Sequence, residues 1–241
     1  VQDVVAAFEA GLRDFRAAPM FGLVFGGLYM LGGMATVWFT THAGWSWLPL
    51  PMTAGFALIG PFVAIGLYEV SRRRERGEPL AFAPVFGCIL AQGRRELIWM
   101  SLVSVFAFLI WMYQVRLLLA LFFGLAPIEG AAFVNALFQT REGLTFLAIG
   151  TLWGAVLSVV VFSLTVVSFP LLLDRDRDFI TAMITSVKAV VASPRVMVGW
   201  GLVTAALIFL SALPFFLGFL ITLPVLGHAT WHLYRRIVAP E

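Results

Sequence analysis

Long uncharged runs alternate with short charged clusters along the whole chain. Six runs have the ~20-residue length that crosses a bilayer as a helix. They are Met20–Phe39, Leu50–Val70, Ile98–Leu117, Leu144–Leu172, Val196–Leu213 and Phe215–Tyr234. The expected fold is all-α: a polytopic membrane protein with six transmembrane helices in one integral-membrane domain over residues 1–241. The fourth run is long enough to tilt, or to kink at Pro170. The third is expected to stop near Leu117, because extending it to Phe123 would carry Arg116 into hydrocarbon at a cost of a few kcal/mol. Trp99 at one end, and Trp111 with Tyr113 at the other, then form its aromatic belts. The last two runs are joined tightly at Ala212–Pro214, which predicts an antiparallel hairpin.

Three shorter stretches precede pairs of these runs: Val4–Pro19, Leu80–Glu96 and Asp178–Pro194. In the first, Val4, Val5, Phe8, Leu12 and Phe15 recur at helical spacing, with small and polar residues on the other side. That pattern predicts helices lying in the membrane interface. A surface helix plus a hairpin, three times over, suggests an internal repeat with units at about 4–79, 80–177 and 178–241. Setting Pro61–Arg73 against Pro224–Arg236 places Glu69 opposite His232 and superposes the terminal Arg pairs; Pro170–Arg175 gives a shorter copy. A proline followed by small residues and a basic stop also occurs in unrelated membrane hairpins, so duplication and coincidence both fit.

Composition agrees with the runs. Of 241 residues, 61% are hydrophobic and 12% charged, with a mean hydropathy of +0.97; soluble domains carry about 25% charge. Charge then sets sidedness. Fourteen of the 16 Lys and Arg residues fall on the side that holds both termini, leaving Arg116 and Arg141 opposite. The positive-inside rule therefore predicts cytoplasmic termini. The basic balance reflects that orientation and attraction to anionic lipid, and nucleic-acid binding has no support. The first nineteen residues lack an unbroken apolar core, so no cleavable signal peptide is expected. A single cysteine, Cys88, excludes an intrachain disulfide framework and cysteine-rich metal sites.

Few polar residues are placed to do chemistry. His228 and His232 sit four apart on one helix face, and Glu69 from the second run reaches a similar depth. Together they form a candidate polar cluster at the cytoplasmic side, to which Asp174 could add. Two histidines at this spacing can share a metal ion only with further ligands; hydrogen bonding between helices or to headgroups is the preferred role. A second candidate is Arg116 with Gln114 at the outer interface, either snorkelling to headgroups or lining a polar path with Glu129 or Glu142. The outer connection Leu117–Glu142 is apolar enough to lie on the membrane, to re-enter it or to dock another subunit. Gly22, Gly26, Gly27, Gly32 and Gly33 lie at small-xxx-small spacing on the first run, as close helix packing requires. No catalytic constellation and no metal or cofactor site is found, so the chain is not expected to be an enzyme.

GLYEVSRRRERGEP (Gly66–Pro79), FPLLLDRDRDFITAMITSVKAVVASP (Phe169–Pro194) and GHATWHLYRR (Gly227–Arg236) resemble signature stretches of a bacterial membrane family catalogued as domain of unknown function 2189. The opening GLRDFRAAPMFGLVFGGLY (Gly11–Tyr29) is similar too. The resemblance implies a six-helix inner-membrane protein of Gram-negative bacteria, with no established activity and no catalytic residues to carry over. Some members are labelled cytochrome c oxidase subunit I-like; that subunit needs six histidine ligands, and this chain has three histidines. The expected function is an accessory or assembly subunit of a larger respiratory or photosynthetic membrane complex, with lipids and other membrane-protein subunits as partners. The alternative is a small transporter or channel for an ion, lipid or small solute.

Overall fold

The computed structural model describes residues 2–42, 49–92, 96–124 and 130–238. Every regular element among them is a helix: α1 Gln2–Ala17, α2 Pro19–His42, α3 Pro49–Arg76, α4 Phe82–Gln92, α5 Glu96–Phe123, α6 Gly130–Gln139, α7 Arg141–Thr165, α8 Ser168–Asp174, α9 Phe179–Ala192, α10 Pro194–Ala212 and α11 Phe219–Ile237. Among the described residues, four stretches are long and apolar enough to cross a membrane: Pro19–Phe39, Glu96–Phe123, Arg141–Asp174 and Pro194–Ala212. The run expected at Leu50–Val70 falls in α3, and all but the first four residues of Phe215–Tyr234 fall in α11.

Three boundaries differ from expectation. α5 continues to Phe123 instead of ending near Leu117, so Arg116 lies inside the helix, on its exposed surface. The added turns are held by rings: Phe123 packs edge-on against Phe133 of α6 and Phe146 of α7. Much of the outer connection is thereby α6, which folds back on α7. Gly143 permits this, because a Cβ there would run into the carbonyls of Ala136 and Leu137. The turn between α10 and α11 covers 213–218 and is wider than Ala212–Pro214. It passes through Phe215 and Phe216 with φ of 50° and 63°, a left-handed conformation that costs a non-glycine residue energy. The Phe216 ring holds it there, seated on Gly33 of α2.

The fourth run breaks upstream of Pro170. α7 ends at Thr165 and α8 starts at Ser168, because a proline removes its own N–H and crowds the carbonyl four residues earlier, here that of Val166. The break frees Val167's N–H, which donates to Ser186 Oγ of α9 at 3.1 Å. Ser186 is fully buried, so one hydroxyl from α9 caps a buried backbone donor.

The short helices bury their small sides. α1 turns Ala7, Gly11 and Asp14 inward, followed by Ala18, while Val5 stays half exposed; the face expected to be small and polar is the one that packs. Gly11 lies directly on the α11 backbone at Val225 and Ala229. α9 likewise buries Ala182, Ser186 and Val190, and exposes Ile180, Ile184 and Val191. α2 meets α11 through Gly22 and Gly26, which lie against Pro224 and Phe219; this glycine stripe packs within the chain.

Burial is concentrated at one end of the bundle. Apart from Gly143 and Ser211, the buried described residues lie in α1, α4 and α9, at Ala18, in the first turns of α2, α5 and α10, in 167–173, and in the final turns of α3 and α11. This is the end that carries the arginine clusters. Toward the far end many aliphatic and aromatic side chains stand exposed.

Ser186→Ala is expected to lower stability by about 1–3 kcal/mol, the cost of a buried donor without a partner. Thr185→Ala, which removes an exposed hydroxyl bonded within its own helix, should change stability by less than about 0.5 kcal/mol. Thermal unfolding of the detergent-solubilised variants checks the contrast.

Candidate functional site

At the charged end, α1, α3 and α11 meet around one carboxylate. Asp14 is on the inward face of α1 and nearly buried. Its Oδ1 accepts from Arg74 Nε at 2.8 Å. Its Oδ2 accepts from Ser71 Oγ at 2.7 Å and pairs with His232 Nε2 at 2.7 Å. Ser71 Oγ also lies 2.8 Å from His228 Nδ1. Burial alone would raise Asp14, but hydrogen bonds from His232, Ser71 and Arg74, and the charge of His232, outweigh it and bring the pKa to about 2.

The donor count fixes the hydrogens. An ionised carboxylate only accepts, so Ser71 must spend its one hydrogen on Asp14. Its oxygen is then an acceptor, and His228 donates to it from Nδ1. In the neutral ring Nε2 is left as a lone pair, and this atom is buried without a hydrogen-bond partner among the described residues. A hydrogen-bonded chain thus runs from fully buried His228 through Ser71 and Asp14 to half-buried His232.

Glu69, expected to join the histidines, makes its contacts elsewhere. It is completely buried and pairs with Arg72 Nη2 at 2.6 Å and Arg73 Nε at 2.7 Å, both on its own helix. Ser71 and Glu69 are two positions apart and leave α3 on different sides, since neighbours on a helix face are three or four apart. Arg72 also donates to the carbonyl of Leu173 at 3.0 Å, a free acceptor at the end of α8. Cys88 of α4 is pushed up to about 11, first by burial and then by the Glu69 charge, which leaves it a poor nucleophile.

Asp174, the last residue of α8, ties the third helix in. It accepts from Tyr234 Oη at 2.8 Å and Arg235 Nη1 at 3.2 Å, and Arg76 approaches at 3.5 Å. Glu75 takes Trp231 Nε1 and Arg235 Nε, each at 3.2 Å, and Arg236 reaches Asp3 at 3.1 Å. The arginines read from sequence as topology signals thus also close an ionic lattice across α1, α3, α8 and α11. Asp14, Ser71 and Arg74 escaped the sequence reading. The available signal was that 11 of the 13 acidic residues share a side with 14 of the 16 basic ones.

The outer candidates part company. Gln114 is half-buried in a groove between α5, α7 and α10, and Arg116 is exposed on another side of α5. Glu142 sits in the first turn of α7, and Glu129 lies outside the described residues. His42 stacks on Trp38 at the end of α2. No group of three or more His, Cys, Asp or Glu among the described residues is arranged to hold a metal ion.

A family model described as predicted integral membrane protein (DUF2189) matches residues 49–174, just over half of the chain. No curated protein and no solved structure matches it.

The Asp14 pairing carries a pH signature. Because the folded pKa lies near 2, below the ordinary 3.8, its contribution of about 2 kcal/mol is complete above roughly pH 4. It is lost as pH falls through 2. Thermal unfolding between pH 2 and 5 should show this loss, and Asp14→Asn should be less stable at pH 7 and lack that step.

Proposed function

From the premise that this chain belongs to the DUF2189 family of integral membrane proteins, we propose that it is a non-catalytic accessory or assembly subunit of a larger membrane complex. In this reading it resides in the bacterial inner membrane, crosses it six times and keeps both termini in the cytoplasm. α3 and α11, at 28 and 19 residues, supply the two further spans. The charge asymmetry supports the orientation. The recurring order of short helix, long helix, long helix supports a threefold plan. So does the convergence of α3, α8 and α11, whose Tyr68 and Trp231 rings, equivalent in the repeat register, lie 6.5 Å apart.

The observation that carries the proposal is the outward face of α5. Its most apolar window has no buried residue. Trp99, Leu102, Phe106, Leu109 and Tyr113 stand exposed along it at alternating spacings of three and four. That spacing is the seam by which one membrane helix packs on another. Trp99 stacks on Phe179 of α9, and the rest of this seam, from Leu102 to Tyr113, is left to receive a partner helix.

A second reading, a small transporter or channel, draws on the chain His228–Ser71–Asp14–His232. Hydrogen-bonded groups of this kind, with a histidine at each end, are those through which membrane proteins move protons.

Cysteine placed at Phe106 in a Cys88→Ser background should cross-link in native membranes to one defined membrane-protein partner, and cysteine at Val160 should not. Recovery of uncross-linked protein from both would count against the subunit reading. For transport, reconstituted protein should carry a proton flux that His228→Ala reduces at least tenfold; flux equal to empty liposomes would remove that reading.

A further inference from the structure

Most arginines at the charged end are matched to carboxylates: Arg72, Arg73, Arg74, Arg76, Arg235 and Arg236 each reach one. Where α9 turns into α10 the pattern reverses. Lys188 and Arg195 are exposed, and their side chains have no hydrogen-bond or ion-pair partner among the described residues. Nor does this part of the chain carry an acid, for residues 179–240 contain no Asp or Glu. Arg13 and Arg16 of α1 are exposed too, but they share their helix with Asp3 and Glu9.

Two features say what covers this corner. The first is depth. α10 has 19 residues, about 28 Å at the helical rise, close to the thickness of a bilayer's hydrocarbon core. Arg195 is its second residue, so it stands at one edge of that core, at the level of the headgroups. Exposed Leu202 and Phe209 follow it at intervals of seven, about two turns each, on the same outward face. The second feature is the outer side of α9. Ile180, Ile184, Lys188 and Val191 stand exposed at spacings of four, four and three, which places them on one face. Ala182, Ser186 and Val190 occupy the packed side. A cation among exposed aliphatic side chains marks a helix whose apolar face enters the acyl boundary while its charge meets phosphates.

The occupant must supply negative charge at headgroup depth and apolar chain beside it. Phospholipid is the anion that the bilayer itself presents there. A zwitterionic head brings its own cation to the phosphate, so two unmatched cations favour a head of net negative charge. We infer that the α9–α10 corner is a binding site for an anionic phospholipid. Lys188 and Arg195, on either side of the turn at Ser193, meet its head, and its chains lie along Leu202 and Phe209. The site requires α10 to cross the membrane, and stands whether the subunit or the transport reading holds.

The test is native mass spectrometry of the full, delipidated chain titrated with dioleoylphosphatidylglycerol, with dioleoylphosphatidylethanolamine as the zwitterionic lipid of equal chains. One saturable phosphatidylglycerol adduct is expected, at least tenfold tighter than that of the ethanolamine lipid. Lys188→Gln and Arg195→Gln should each weaken it several-fold, and together at least tenfold. An unchanged thermal midpoint shows that a variant is folded, and the single variants carry the expectation if the double one is not. Arg13→Gln, at an exposed cation of α1, should leave binding unchanged. Undiminished binding in the folded Lys188 and Arg195 variants would overturn the site, and so would an equal loss in Arg13→Gln, the mark of general charge attraction. Equal binding of the ethanolamine lipid would contradict the anionic head. Displacement by inorganic phosphate at equal concentration would exclude a lipid as the occupant. An acidic protein that co-purifies with the unaltered chain and is lost from Arg195→Gln would put a partner subunit there instead.

Discussion

One carboxylate, drawn from the first helix and sealed between the third and the last, organises the charged end of this bundle. A buried charge persists only when every lone pair facing the protein finds a donor, and Asp14 has Ser71, Arg74 and His232. Because those donors come from α3 and α11, satisfying the carboxylate joins segments nearly the whole chain apart. The close approach this demands is met by small residues: Gly11 on the α11 backbone, Gly227 beneath Leu67 and Gly66 beneath Phe25. Glu69 and Asp174 repeat the theme with arginines at neighbouring corners. The apolar core follows from this, since the same helices that carry the acids and bases bring Ile65, Leu172, Trp231 and Tyr234 together.

Among the described residues the opposite end has no ion-pair lattice, and its polar ties are local, such as Ser211 Oγ with Thr222 Oγ1 at 2.5 Å between α10 and α11. Membrane helices gain little from burying apolar surface against each other, because lipid tails are equally apolar. There the contacts are mainly ring and glycine packing, as of Phe123 on Phe146 and Trp111 on Gly154 between α5 and α7. The result is a protein with a buried ionic base and an apolar upper sector whose side chains are mostly exposed. The second part presents the α5 seam and the groove between α5, α7 and α10.

Much of this was legible in sequence, and what was not has physical reasons. The long uncharged runs marked the membrane helices, and the glycines of α2 announced close packing. The helix break at Val166–Val167 was displaced from Pro170 because a proline acts on the carbonyl four residues back. α5 ran past Arg116 because that side chain leaves on an exposed face, and aromatic rings to α6 and α7 reward the extra turns. The histidines were found from their spacing. Their partners were not, because Asp14 and Ser71 come from helices whose adjacency only the tertiary fold decides, and Asp14 sits in a stretch whose apolar side drew attention instead. Glu69 was misallocated for the same reason: the repeat register gave its depth but not its direction around α3.

That the ionic ties hold the charged end more tightly than the apolar end is held is tested most directly by electron–electron spin distances in nanodiscs. Labels at Arg16 and Arg236, at the charged end, should give one narrow distance distribution. Labels at Tyr113 of α5 and Phe209 of α10, toward the far end, should give a broad one. Equally narrow distributions at both ends would contradict the account.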